Sequence, residues 1–65
     1  MTRYPDIKVE LTGTDGNAYA ILGKVTKALR RGGCAPSEIG EFQAEATSGD
    51  YDKLLQTCMS WVDVT

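Results

Sequence analysis

Apolar and polar residues alternate strictly over IKVELT, residues 7–12. Ile7, Val9 and Leu11 fall on one side and Lys8, Glu10 and Thr12 on the other. That period of two is the mark of a half-buried strand. Pro5, just ahead, suits the start of a strand at a sheet edge. Beyond Gly16 the period lengthens. Ala18, Ile21, Leu22, Val25, Ala28 and Leu29 recur every three or four residues, which predicts an amphipathic helix from about Asn17 to Arg31. Thr14 or Asp15 is its expected N-cap, because a short oxygen-bearing side chain can accept a first-turn N–H. Gly32–Gly33 supplies the left-handed residue that ends it.

Pro36 suits the first position of a second helix, where a missing N–H costs nothing. Ile39, Phe42 and Ala46 give that helix one apolar side, and Gly40 weakens it by about 1 kcal/mol relative to Ala. Ser48–Gly49 closes it. Asp50 or Ser48 caps a third helix, whose apolar face is Tyr51, Leu54, Leu55, Cys58 and Val62. WVDV, residues 61–64, alternates again and reads as a strand. The order is therefore β-α-α-α-β in a single small domain, residues 1–65. The expected fold class is α+β: a two-stranded sheet of residues 7–12 and 61–64, its strands antiparallel, with three helices packed on one face. Trp61 has two readings here. It lies on the open face of the sheet as an anchor for a partner, or it ends the third helix and packs in the core.

Length narrows the function. A chain of 65 residues has little room for both a core and a deep substrate pocket. It contains no histidine, which removes the commonest general base and the usual partner of a Ser or Cys nucleophile. No catalytic residue, metal or cofactor is expected. Cys34 and Cys58 match no zinc pattern and are expected as free thiols. MTRYPDIKVE has no apolar h-region and no run is long enough to span a membrane, so a cytoplasmic location is expected.

LTGTDGNAYAILGK, residues 11–24, has the setting of a phosphate loop. Its spacing fails. Gly16 and Gly23 enclose six residues where a Walker A loop has four, and Val25 stands where a metal-binding hydroxyl is needed. Gly23 and Lys24 also fall inside the predicted helix, where N–H groups are already bonded. The stretch reads as the turn from strand to helix.

Charge is divided along the chain. Residues 1–31 carry six basic and three acidic side chains; residues 32–65 carry one basic and six acidic. The balances are +3 and −5, giving the net charge of −2. Lys24, Lys27, Arg30 and Arg31 cluster in the second half of the first helix, where cations oppose the helix dipole and could also meet nucleic acid. Glu38, Glu41 and Glu45 share one face of the second helix at i, i+3, i+7, with Asp50 and Asp52 following. An acidic surface of that kind can dock on a basic groove of another protein and displace nucleic acid.

GTDGNAYAILGKVTKALRRGG and EATSGDYDKLLQTCMSWVDV resemble a family of small bacterial proteins found on phages and plasmids. The resemblance covers most of the chain but implies no activity, so no functional residue is carried over from it. By analogy of size and charge it points to anti-CRISPR inhibitors, which act without catalysis. The resulting expectation is a protein-binding module whose partner is a protein, a CRISPR effector complex in this analogy. Glu38, Glu41, Glu45, Asp50, Asp52 and Trp61 would form the contact. The alternative is a small nucleic-acid-binding accessory protein using Lys24, Lys27, Arg30 and Arg31. The chain is expected as a monomer, or as a homodimer through its sheet edge.

Overall fold

The computed structural model of the protein describes residues 2–11 and 16–65. It has the expected order: β1 (Tyr4–Val9), α1 (Ala18–Arg31), α2 (Pro36–Ala46), α3 (Tyr51–Trp61) and β2 (Val62–Val64). The expected N-caps Thr14 and Asp15 lie outside the described residues. Asn17 holds the cap instead: its Oδ1 accepts from the Tyr19 N–H at 2.8 Å. At the other end of α1, Gly33 has φ 89°, a left-handed conformation that costs an L residue about 1–2 kcal/mol. The Gly33 N–H donates to Arg30 O at 3.2 Å and the Cys34 N–H to Leu29 O at 3.1 Å. Those two bonds satisfy carbonyls that the last helical turn leaves open. A Cβ at Gly32 would lie 2.6 Å from Ile7 Cδ1, so the Ile7 side chain would have to shift to admit one. Pro36 starts α2 as expected. Asp50 caps α3, accepting from the Lys53 N–H at 3.0 Å.

The sheet departs from expectation. β1 and β2 run parallel, with Tyr4 beside Val62, Lys8 beside Asp63 and Val9 beside Val64. Parallel strands need a crossover of a dozen or more residues, usually helical, and three helices lie between these two. The last helix also enters β2 with no loop, Trp61 being its final residue and Val62 the first of the strand. The direction of β2 thus follows from how α3 docks. β1 also begins earlier than the alternation suggested, at Tyr4, and its register shifts between Tyr4 and Lys8. The bulged segment holds Pro5, whose missing N–H is tolerated at such a place.

The alternation holds from Ile7 to Leu11, although β1 itself ends at Val9, and Thr12 lies outside the described residues. Val9 is buried and Ile7 and Leu11 pack against the core, while Lys8 and Glu10 are exposed. The core joins Val9 and Val62 to Ile21, Val25 and Leu29 of α1, Ile39, Phe42 and Ala46 of α2, and Leu54, Cys58 and Trp61 of α3. Each large side chain buried this way contributes about 1.5–3 kcal/mol. Gln43 of α2 donates its side-chain amide to Thr26 Oγ1 of α1 at 3.2 Å, a polar tie between the two helices. Among the described residues no helix is long and apolar enough to cross a membrane.

Candidate binding surface

Three of the five acids expected at the contact, Glu38, Glu45 and Asp50, accept hydrogen bonds within the fold. Glu38, Glu41 and Glu45 do share one side of α2, but that side borders Tyr4 and Trp61. The Tyr4 hydroxyl donates to Glu38 Oε2. This bond, then burial, then the Glu38 charge push the Tyr4 phenol up to about 12 from 10.0. The indole Nε1 of Trp61 donates to Glu45 Oε2 at 2.8 Å. Asp50 is spent on capping α3, and Asp52 lies in its first turn, where the helix dipole favours an acid. Glu41 and Asp52 are exposed.

Trp61 is only 3% exposed and ends α3, the second of its two readings. Its ring meets Phe42 edge-on with centroids 5.6 Å apart, and lies 6.1 Å from the Tyr4 ring. The Arg3 guanidinium sits 4.0 Å over the ring centroid, a cation–π contact. Trp61 on an open sheet face is thus corrected. It is three residues beyond Cys58, within the helical stripe, so α3 carries it inward before the chain turns extended. Cys58 is buried, and burial pushes its thiol up to about 11 from 9.0. Cys34 is half-buried in the turn between α1 and α2, and both cysteines are free.

The basic residues are arranged differently. Three- and four-residue steps place Lys24, Lys27 and Arg31 in one line along α1. With Lys8, Val9, Glu10 and Ala28 they line a groove of about 200 Å³ between α1 and β1. Arg30 lies to the other side of this line and borders a neighbouring shallow depression with Gly23, Lys24, Thr26 and Lys27. The four cations expected from the sequence therefore cover the outer surface of α1, three of them at the groove. Lys8 was missed as a member. It is sixteen positions before Lys24, and only its outward place in the alternation of β1 marked it as available. Among the described residues, four cations and one carboxylate line this groove, on a chain of net charge −2.

A second depression, of about 260 Å³, is bounded by Ala18, Tyr19, Leu22, Ala46, Tyr51 and Leu54 among others, with Tyr19 83% exposed. It is largely apolar and holds one acid, Asp50, which is already engaged as a cap.

Comparisons with protein-family models, with curated proteins and with solved structures give no match for this chain. No activity or site residue is therefore assigned by similarity, and function has to be argued from the surfaces themselves.

Proposed function

We propose that this protein is a non-catalytic binding module that takes an anionic macromolecular partner in the groove between β1 and α1. One observation carries the reading: Lys8 joins Lys24, Lys27 and Arg31 at one groove although the strand and the helix are separated in sequence. Helix-dipole stabilisation accounts for Arg30 and Arg31 in the last turn of α1, but not for Lys8 or for Lys24 and Lys27 farther up. Cations gathered beside a low-dielectric wall raise the local concentration of an anionic ligand and speed its arrival.

Binding of a labelled single-stranded oligonucleotide and of polyglutamate, each followed across a salt series, tests the reading. Affinity for at least one should fall steeply with salt and be lost in the K8E/K27E/R31E variant. If neither polyanion binds at low salt, or if the charge-reversed protein binds as well as the original, the groove is not the contact surface.

The acidic-face reading, an anti-CRISPR-type inhibitor occluding a nucleic-acid groove, has less behind it. Glu38, Glu45 and Asp50 already serve hydrogen bonds inside the fold. What supports it is that Glu41, Glu45, Asp50 and Asp52 are all exposed, Glu41 and Asp52 taking part in none of those bonds. E41K/D52K is the variant that would weaken such a complex while leaving the groove untouched.

A further inference from the structure

The two-stranded sheet gives each strand one ladder and one outer edge. On β1 the Val9 carbonyl accepts from the Thr65 N–H at 2.9 Å, and just beyond the strand the Leu11 N–H donates to Thr65 O at 3.1 Å. Backbone polar groups alternate sides along an extended chain, so those of Lys8 and Glu10 aim away from β2. Lys8 and Glu10 also line the basic groove, together with Lys24, Lys27, Ala28 and Arg31 of α1.

We propose that the β1 edge takes an acidic, extended segment of a partner protein by strand addition. The main chain of Lys8 and Glu10 would extend the ladder, and Lys24, Lys27 and Arg31 would meet carboxylates on every second residue of the added strand. This rests on the anionic-partner reading above and names the partner's chemistry. Two observations and the spacing of a sheet carry it together. An outer edge offers N–H and C=O groups with no ladder partner among the described residues. A strand added to that edge would lie about 4.8 Å from β1, on the side where Lys8 and Glu10 line the groove. Its lining is cationic on the helix side, so an incoming strand's helix-facing side chains are selected as acids.

Other occupants fit less well. A second copy paired edge to edge would set two Lys24–Lys27–Arg31 stripes side by side, a like-charge juxtaposition that opposes association. A nucleic-acid backbone would meet the cations but has no groups to continue the ladder.

The experiment uses the whole chain, labelled with ¹⁵N, and a panel of synthetic peptides of about eight residues, an ordinary strand length. The panel alternates glutamate or aspartate with threonine or valine. Each peptide is also made with N-methyl groups on alternate backbone amides. Strand addition predicts slowed hydrogen exchange at the Lys8 and Glu10 amides on binding. It also predicts loss of about tenfold or more in affinity on N-methylation in one register, and a similar loss in K27E/R31E. If the peptides bind but N-methylation changes nothing, strand addition is wrong while the anionic groove stands. If K27E/R31E binds them as well as the original, the groove reading fails too. If the oligonucleotide binds and no acidic peptide protects Lys8 or Glu10, the partner is nucleic acid and the inference is overturned. Protection of both amides without any peptide, in a protein that sediments as a dimer, would assign the edge to a second copy and overturn it equally.

Discussion

The bond from Trp61 to Glu45 decides whether Glu45 is a structural residue or a surface acid, and a double-mutant cycle measures it. The perturbations are W61F, which keeps an aromatic ring against Phe42 and removes the N–H, and E45A, which removes the acceptor. At 2.8 Å the bond has good length, and its acceptor is a carboxylate. Hydrogen bonds to charged groups contribute about 1.5–3 kcal/mol when sheltered. Glu45 is exposed and water competes for its oxygens, so about 1 kcal/mol is the expected coupling. A domain of this size has about 3–10 kcal/mol in all, so that is a sizeable share. Each variant is unfolded in urea and followed by far-ultraviolet circular dichroism. W61F alone should lose more than the coupling, because it also removes ring volume from a buried site and weakens the Arg3 contact. E45A alone should lose about the coupling and lower the melting temperature by roughly 4–8 °C. The coupling is the part of the double-mutant loss that the single losses do not account for. A coupling below about 0.3 kcal/mol would show that the pair is not a structural bond, and would return Glu45 to the partner-facing set.

Other consequences are as direct. Thr57 is buried and its Oγ1 has no hydrogen-bond partner among the described residues, so T57V, which keeps the shape and removes the unmet polar group, should raise stability by about 1 kcal/mol; a loss in urea titration would mean the hydroxyl is satisfied. G33A forces a side chain into the left-handed turn after α1 and should cost about 1–2 kcal/mol, visible as an earlier urea midpoint with unchanged slope. Tyr4 and Cys58 both hold their protons more tightly when folded, at about 12 against 10.0 and about 11 against 9.0. Between those values the unfolded chain carries fewer protons than the folded one, so stability falls as pH rises. The contribution of Cys58 is complete below pH 9 and goes by about 11; that of Tyr4 is complete below pH 10 and goes by about 12. Urea midpoints should therefore decline from about pH 9 upward, and in Y4F the decline above pH 10 should be shallower than in the original; an identical curve would remove Tyr4 from the account.

Much of this architecture was legible along the chain. The spacing of Ile21, Val25 and Leu29 marks a helix, and Gly33 stops it, because both effects act between residues a few positions apart. The same holds for Pro36 at the start of α2 and Asp50 at the start of α3. The alternation of Ile7, Val9 and Leu11 marked the buried side of β1 even though the strand starts earlier. Trp61 shows where local reasoning divides. WVDV alternates like a strand, yet its first residue completes the helical stripe of Cys58, and only packing against Phe42 decides between them. The acids of α2 show the same limit. Their spacing predicts a shared face, but Tyr4 and Trp61, distant in sequence, turn Glu38 and Glu45 into acceptors.

By itself, then, the amino-acid order determined the elements, their sequence, the ends marked by Gly33, Pro36 and Asp50, and the apolar stripes, all set by periodicity and short-range hydrogen bonding. The tertiary structure alone decided the parallel sheet, the burial of Trp61 and the meeting of Lys8 with the cations of α1. Each of those depends on how three helices cross between two strands, a path set by mutual packing of the core rather than by any stretch of residues read in isolation.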